Sequence, residues 1–180
     1  MILAAGLGTR LKPFTDHHPK ALAVVNGKSL LQRNIEYLQD FGIDEVVVNV
    51  HHFADQIVDT INQNKGWGSQ VTISDESDEV LETGGGLLRA KAHFENEDKW
   101  LVMNADILTD LDLTKMFEAD KAFEAKSEGE MVATLAVTNR TTSRNLIFNT
   151  AGTLCGWKNN ATNEEKWANP LKDQIGRAHV

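Results

Sequence analysis

Apolar and polar positions along the chain follow two periods, one typical of β-strands and one typical of α-helices. Runs of mostly apolar or small residues at 1–5, 45–50 and 100–103 predict buried strands. Residues 70–74 alternate between polar and apolar positions and predict a further strand. Strands that are apolar on both faces are typical of a parallel sheet covered by helices.

Helical spacing occurs between these strands. Ser29 with Gln32 predicts a capping box for a helix that ends before Gly42, and further helices are predicted over 54–64 and 113–125. Strand, helix and strand in this order imply right-handed crossovers. We therefore predict an α/β fold with a Rossmann-like, mostly parallel sheet flanked by helices. Ligands of such sheets bind at the carboxyl ends of the strands.

Turn signals predict antiparallel pairs elsewhere. Residues 24–27 predict a short strand that enters a tight turn, and 131–137 predict another strand. Residues 144–148 and 153–158 predict a hairpin around a turn at 149–152.

Composition narrows the functional classes. The 180 residues are 41% hydrophobic and 24% charged, which is typical of one globular domain with a substantial core. With 18 basic and 26 acidic residues the net charge is −8, which disfavours nucleic acid as a partner. A basic tract, a long apolar run and a signal-peptide core are all missing, so we expect a cytoplasmic protein without a membrane partner. Cys155, the one cysteine, predicts neither a disulfide nor a metal cage.

The first strand leads into a loop with two glycines, Gly6 and Gly8, which free the backbone to turn and to present N–H groups. Such a loop can hold phosphate groups. It does not match the dinucleotide fingerprint, because Leu11 stands where that pattern requires its third glycine, and the Walker A pattern is likewise incomplete. Arg10 and Lys20 would add two cations beside the loop, which suits a triphosphate better than a single phosphate.

A longer motif around this loop resembles the signature of a known family. Residues 3–15, which begin Leu-Ala-Ala-Gly-Leu-Gly-Thr-Arg, and residues 19–22, Pro-Lys-Ala-Leu, resemble the signature of sugar-1-phosphate nucleotidyltransferases. Residues 82–86 and 104–106 extend the resemblance over at least 1–113. It looks closest to bacterial N-acetylmuramate-1-phosphate uridylyltransferases, which make UDP-N-acetylmuramic acid, and to mannose-1-phosphate guanylyltransferases, which make GDP-mannose. The resemblance implies the nucleotide-diphospho-sugar transferase type of α/β fold.

The resemblance also implies a reaction that depends on Mg²⁺. A nucleoside triphosphate, with UTP or GTP favoured, would condense with a sugar 1-phosphate to give pyrophosphate and a nucleotide-sugar, a precursor of cell wall or polysaccharide. The sugar-phosphate oxygen attacks the α-phosphorus in line, so the protein needs no nucleophile and has to align two anions. Catalytic roles are implied for Arg10, Lys20 and Asp106, with Asp106 as the Mg²⁺ ligand. Nucleotide contacts are implied for Ala4, Ala5, Gly6, Gly8, Thr9, Arg10, Glu82, Thr83, Gly84 and Gly85.

Some of these roles also have support from the residues alone. Asp106 follows an apolar strand. A carboxylate at such a position is not expected to belong to the core or to cap a helix, so another role is indicated. Three consecutive glycines at 84–86 weaken a helix start, and the close approach of a flat base or ribose would be a reason for them. A solvated loop with a flexible helix start is the open alternative. Ala105 stands where the family usually has glycine, which leaves less room for the sugar phosphate.

Other functional interpretations are open as well. A non-catalytic nucleotide-sugar sensor or regulatory subunit of the same fold would bind nucleotide without releasing pyrophosphate. A doubly wound oxidoreductase domain is a weaker alternative, because the third glycine and the acidic residue of a dinucleotide unit are missing. A metal site at His51 and His52 is disfavoured, since adjacent strand residues point to opposite faces, and a role in a loop or helix entry is expected.

The end of the chain departs from the family pattern. We expect one nucleotidyltransferase domain over 1–174 that is incomplete, because the resembling enzymes continue into further strands that carry a second metal-binding aspartate. Residues 175–180 neither cap an element nor continue a pattern, and are expected to be a non-native tail. This interpretation predicts weak nucleotide binding and low turnover for the chain, together with an exposed sheet edge. The oligomeric state is not predicted.

Overall fold

The computed structural model describes residues 1–79, 81–126, 132–138 and 141–168. Backbone contacts divide the chain into two units, Met1–Thr114 and Lys115–Val180. The single domain over 1–174 stays a prediction, and the expected tail at 175–180 lies outside the described residues.

A parallel sheet forms the centre of the first unit. The strands of this unit are, in chain order, β1 (Ile2–Leu3), β2 (Val24–Val25), β3 (Lys28–Ser29), β4 (Glu45–Val50), β5 (Gln70–Asp75) and β6 (Met103–Asn104). Four of them form one sheet in the order β5-β4-β1-β6, and all neighbours in it are parallel. Ile2 pairs with Val48 on one side and with Met103 on the other. The predicted α/β fold with a mostly parallel sheet is confirmed.

Helices α1 (Leu30–Gln39), α2 (Ala54–Gln63) and α3 (Glu82–Ala90) alternate with the strands. Helix α1 begins as predicted, because the Ser29 hydroxyl accepts a hydrogen bond from the Gln32 backbone N–H at 3.1 Å. The Gln32 side chain donates to Glu36 along the helix. Across the described ranges, no helix has the length and apolar content needed to cross a lipid bilayer.

The core contains apolar side chains of α1, α2 and the sheet, and a further cluster of Met1, Val47 and Ala90 joins α3 to the sheet. The largest fully buried apolar side chains are Ile2, Leu31, Ile35, Leu38, Val48, Val50 and Ile57. Burial of one such side chain contributes about 1.5–3 kcal/mol to stability. The core thus holds the strands, and therefore their carboxyl ends, in fixed positions.

Two central strands are shorter than predicted. The strand expected at 1–5 ends at Leu3, because the N–H of Ala4 bonds to the Asn49 side chain instead of a neighbouring strand. The strand expected at 100–103 is reduced to β6, which lies at the sheet edge and pairs with β1. Since β1 has two residues, its ladder with β6 is limited to two pairs. The turn of the chain after Leu3 ends β1, and residues 100–102 precede the two residue pairs that join β6 to β1.

Strands β2 and β3 form a small antiparallel hairpin, which confirms the tight turn predicted over 24–27. Asn26 and Gly27 both have positive φ angles, 48° and 79°, as a type I′ turn requires. Helix α1 follows β3 directly.

The second unit contains an antiparallel sheet in the order β7-β8-β9, made of Arg144–Phe148, Leu154–Asn159 and Glu164–Trp167. Its first two strands confirm the predicted hairpin, with Asn149 donating to the carbonyl of Thr153 across the turn at 2.9 Å. Helix α4 (Leu113–Glu124), which begins at the end of the first unit, agrees with the helix predicted over 113–125.

The sequence pattern did not predict strand β9, because the residues of this strand are mostly charged. Its pairing with β8 is supported by an ion pair of 2.8 Å between Lys158 and Glu165. Exposed cross-strand ion pairs can favour pairing without the apolar alternation that identifies a half-buried strand.

The strand predicted over 131–137 is wrong for the part that the structure describes. Residues 132–138 form no strand, and Met131 lies outside the described residues. A strand needs a neighbour that satisfies its backbone groups, and apolar alternation alone does not supply one. The Val132 side chain accordingly lies almost fully in solvent.

Candidate active site

The carboxyl ends of the four parallel strands border one cleft, which has a volume of about 450 Å³. This is where a parallel sheet is expected to bind its ligand. Most of the predicted site residues line the cleft: Ala4, Ala5, Gly6, Gly8, Thr9, Arg10, Lys20, Glu82, Thr83 and Asp106. Gly84 and Gly85, predicted to contact the nucleoside, are not among the lining residues. The structure therefore brings together one group of residues from distant parts of the chain.

Gly8 joins the loop after β1 to the segment that carries Lys20. It has a left-handed backbone, with φ of 62°, and a Cβ atom there would lie 2.8 Å from Thr15 Cγ2 and 3.0 Å from Lys20 Cβ. The Thr15 hydroxyl donates to the Gly8 carbonyl at 2.9 Å. Glycine is thus required at this position by both conformation and packing.

Gly6 differs from Gly8. Its backbone is not left-handed, and a Cβ atom there would meet no other atom of the protein within 4 Å. It lines the cleft and is exposed. The fold itself therefore gives no reason for glycine at position 6.

A charged pair lies across the cleft. The Lys20 ammonium donates a hydrogen bond to the Asp106 carboxylate, so the segment after Pro19 is linked to the residues that follow β6. The two side chains are 24% and 37% exposed. Arg10, in contrast, is exposed in a short helical turn, Thr9–Leu11, and forms no ion pair with any described residue. Among the described residues, the cleft thus contains one paired cation, Lys20, and one unpaired cation, Arg10.

Helix α1 holds the segment that contains Asp106. The Asn34 side chain, buried at 3% exposure, donates to the carbonyl of Ala105 at 2.8 Å. One turn further, the Tyr37 hydroxyl donates to the carbonyl of Leu111 at 2.6 Å. Burial, and after it the charges of two nearby aspartates, Asp112 and Asp110, raise the pKa of Tyr37.

The other end of the cleft is a buried polar cluster. Asn49 Oδ1 accepts from the Ala4 N–H at 2.7 Å, and Asn49 Nδ2 donates to Glu76 Oε1 at 2.8 Å. The two side chains are 2% and 1% exposed. The Glu76 carbonyl accepts from His51 Nδ1 at 2.6 Å, so this ring nitrogen carries a proton. His51 lies in the turn before α2, as predicted for a helix entry.

The glycines of α3 have a packing reason that the sequence argument did not include. A Cβ atom on Gly86 would lie 2.7 Å from Glu76 Oε1 and 3.0 Å from Asn49 Nδ2, and one on Gly85 would lie 2.8 Å from Leu81 Cβ. Only Gly84 of the three would place a Cβ atom in open space. Gly86 therefore makes room for the Glu76–Asn49 pair, while the nucleoside contacts assigned to Gly84 and Gly85 stay predictions.

Asp106 fits a magnesium ion only in part. In the described part of the chain, no group of three or more His, Cys, Asp or Glu side chains could hold a metal ion. Mg²⁺ in proteins often binds one or two carboxylates, and takes its other ligands from water and substrate phosphates. Asp106 therefore suits a Mg²⁺ ion that shares phosphate ligands, and does not suit a cage built by the protein alone.

Comparison with known proteins agrees with this geometry. The model of the nucleotidyl transferase family matches residues 1–145. The chain belongs to the nucleotidyl transferase family. Its predicted resemblance to the sugar-1-phosphate nucleotidyltransferases of this family is confirmed, and so is the nucleotide-diphospho-sugar transferase type of fold.

Three proteins are similar to this chain over about half to two thirds of its length. The N-acetylmuramate alpha-1-phosphate uridylyltransferase of Caulobacter vibrioides is 45% identical over 94 residues, which are 51% of this chain and 39% of that protein. The enzyme of the same name from Neisseria meningitidis is 38% identical over 118 residues, 66% of this chain and 51% of that protein. The crystal structure of HddC from Yersinia pseudotuberculosis complexed with GMP-PN has a TM-score of 0.60 and 36% identity, over 66% of this chain and 52% of that one. The chain thus spans about half, or less, of the length of these three proteins.

Sequence reasoning missed Asn34, Asn49 and Glu76. Asn49 is the one polar residue in the buried stretch 46–50, and Asn34 lies on the buried face of α1. Glu76 follows the carboxyl end of β5 much as Asp106 follows that of β6. The available signals were therefore a polar residue within an apolar pattern, for Asn49 and Asn34, and a carboxylate directly after a strand end, for Glu76.

Proposed function

We propose that this chain carries the nucleotide-binding part of an enzyme that condenses a nucleoside triphosphate with a sugar 1-phosphate, giving a nucleotide-sugar and pyrophosphate. One observation carries the proposal. A single cleft at the strand ends collects the glycine loop after β1, the cations Arg10 and Lys20, and the carboxylate of Asp106. Membership in the nucleotidyl transferase family supports the reaction class.

The glycine loop after β1, Arg10, Lys20 and Asp106 form what we call the phosphate end of the cleft. These residues would act by binding and orienting phosphate groups. Backbone N–H groups from Gly6 to Thr9 and the Arg10 guanidinium would hold the phosphates that leave as pyrophosphate. Lys20 would lie along the path of the transferred phosphate. Because the attacking oxygen belongs to the sugar phosphate, the protein contributes alignment of two anions and compensation of their charge.

Asp106 would hold Mg²⁺ together with phosphate oxygens of the nucleotide. The bound ion would supply charge neutralisation and orientation to the phosphates. Asn34 would keep Asp106 in position through its hydrogen bond to the Ala105 carbonyl. The methyl group of Ala105 would limit the space next to the sugar phosphate.

The buried polar cluster supports UTP or GTP as the nucleotide. A carboxylate oxygen of Glu76 at the cleft can accept a hydrogen bond from N3–H of uracil or N1–H of guanine. Cytosine and adenine have an acceptor nitrogen at the corresponding positions, so they would leave two acceptors facing each other. Glu82 and Thr83 border the same cleft and would add contacts to the nucleoside.

The proposal is tested by a pyrophosphate-release screen of the purified chain with four nucleoside triphosphates, a panel of sugar 1-phosphates and Mg²⁺. We expect release with UTP or GTP, and its loss in the Arg10→Ala variant. The sugar that supports release identifies the second substrate. Nucleotide binding without pyrophosphate release in every combination would instead favour a regulatory, non-catalytic role, and no binding of any nucleotide would contradict both.

A further inference from the structure

We infer that Asn49 is a specificity-determining residue, which fixes the kind of atom that residue 76 offers to the nucleobase. The inference rests on the proposed function, in which Glu76 contacts the base. Asn49 itself would act through Glu76. It joins two parts of the cleft wall, the start of the glycine loop at Ala4 and the residue after β5.

The orientation of the Asn49 amide is set by the main chain. Its Oδ1 atom accepts from the N–H of Ala4, and a backbone N–H can only donate. The NH₂ group is therefore the side that faces Glu76, where it donates to Oε1. A flipped amide would place a donor against the Ala4 N–H and an acceptor against the carboxylate, and would lose two hydrogen bonds between buried groups.

Residue 76 has little freedom to rearrange. His51 binds its carbonyl, and Gly86 of α3 leaves room for the Glu76–Asn49 contact where any larger residue would collide with it. Glu76 borders the cleft, and no described residue donates a hydrogen bond to Oε2. With Oε1 occupied by Asn49, Oε2 is the acceptor left for a ligand.

This arrangement predicts how an amide side chain at position 76 would change the base preference. In Glu76→Gln, the Asn49 NH₂ group would still require an acceptor and would take the new amide oxygen. The amide nitrogen, a donor, would then face the cleft, so bases that present an acceptor nitrogen would be favoured. In the double variant Asn49→Asp with Glu76→Gln, the new carboxylate at position 49 would accept from both the Ala4 N–H and the amide NH₂ group at position 76. The amide oxygen at position 76 would then again face the base.

The test is calorimetric measurement of Kd for UTP and CTP with Mg²⁺ on the parent chain, the two single variants and the double variant, near neutral pH. GTP and ATP form the equivalent purine pair if the parent binds purines more tightly. We expect the parent to prefer UTP, Glu76→Gln to prefer CTP, and the double variant to return to UTP. The ratio of the Kd values for UTP and CTP should change by about tenfold or more between the parent and Glu76→Gln, and again between Glu76→Gln and the double variant. This is the effect expected when a buried hydrogen bond is exchanged for an unpaired group.

The single Asn49→Asp variant should bind every nucleotide more weakly, because two carboxyl groups then face each other without a donor. Asn62→Asp is the matched control, since it makes the same change at an exposed asparagine of α2 that does not line the cleft. It should leave the UTP:CTP ratio unchanged. Circular dichroism of each variant verifies that the fold is retained.

The possible results distinguish the contact of Glu76 with the base from the role of Asn49 in orienting residue 76. If Glu76→Gln leaves the ratio unchanged, Glu76 does not read the base, and that part of the proposed function is wrong. If Glu76→Gln reverses the preference and the double variant keeps the reversed preference, Glu76 reads the base without direction from Asn49, and the present inference is overturned. Absence of nucleotide binding by the parent would overturn both.

Discussion

The two ends of the cleft are built in opposite ways. At the phosphate end, Arg10 is exposed, and the Lys20–Asp106 pair is partly open to solvent. At the other end, Asn49 and Glu76 are almost fully buried and are held by hydrogen bonds. Exposed charges can rearrange around a ligand at small cost, whereas buried polar groups must be satisfied before the ligand arrives.

This difference indicates how each end would recognise its part of a nucleotide. Phosphates carry charge, which acts over several ångströms and tolerates movement of the partner. A base is distinguished by the direction of single hydrogen bonds, and this requires fixed donors and acceptors away from water. Substitutions of the charged side chains at the phosphate end should therefore change turnover and spare the fold, while substitutions at the buried end should change both binding and stability.

The largest expected effect at the phosphate end is that of Asp106→Asn. The neutral side chain would lose the proposed Mg²⁺ ligand and release Lys20, so pyrophosphate release that depends on Mg²⁺ should disappear. Titration of pyrophosphate release against Mg²⁺ measures this. Asp110→Asn, an exposed carboxylate on the same segment, is the control and should behave as the parent does. An unchanged Mg²⁺ requirement in Asp106→Asn would place the metal site elsewhere.

Arg10→Ala should lower turnover by about 100- to 1000-fold, because one cation facing the developing negative charge is removed. Arg10 is exposed and unpaired within the described residues, so the thermal unfolding temperature should not change. Steady-state kinetics and calorimetry measure the two quantities. Lys12→Ala removes a nearby exposed cation that does not line the cleft, and should have little effect. Equal losses in the two variants would argue against a specific phosphate contact.

The two glycines of the loop after β1 test whether the phosphate end is purely a ligand site. Gly8→Ala should reduce the free energy of unfolding by about 1–2 kcal/mol for the left-handed backbone alone, with the contact to Thr15 adding to this. Gly6→Ala should leave stability unchanged and weaken nucleotide binding, since its Cβ atom would occupy only the cleft. Chemical denaturation of both variants measures their stability, and nucleotide titration measures their binding. Loss of stability in Gly6→Ala would contradict the distinction.

The smallest effect concerns the support of Asp106 by α1. Tyr37 has a raised pKa in the folded chain, so its neutral hydroxyl contributes stability below pH about 10 that is lost as the pH rises through the folded-state pKa. Tyr37 is the one tyrosine of the chain, so tyrosinate absorbance follows it alone. Tyr37→Phe should cost about 1 kcal/mol and remove this pH dependence. A tyrosinate transition at or below the pKa of free tyrosine would contradict the prediction.

The sequence predicted the parts of this structure that depend on local pattern. The strands at 45–50 and 70–74, the cap at Ser29 and the hairpin around 149–152 follow from apolar period and turn chemistry. The long motif of residues 3–15 and 19–22 identified the family, since its residue types occur in a fixed order and spacing. These features can be recognised without knowledge of which segments meet in space.

The remaining parts depend on distant contacts. The role of Asn49 appears only when the N–H of Ala4 and the carboxylate of Glu76 come within its reach, 45 and 27 residues away along the chain. The approach of a ligand was offered as the reason for the glycines at 84–86, because the sequence cannot reveal that Glu76 packs against Gly86. Pairing also decided the lengths of β1 and β6, whose apolar runs are longer than the ladders they form.

The Lys20–Asp106 pair has a consequence for the order of events in the cleft. A divalent cation that approached alone would compete with an ammonium group for the carboxylate, whereas a polyanion that drew Lys20 toward itself would leave that carboxylate available. Under the proposed function, the two ligands are therefore thermodynamically linked, and each raises the affinity of the other by the same factor. The internal counter-ion would make the cleft respond to the metal–nucleotide complex more strongly than to either component.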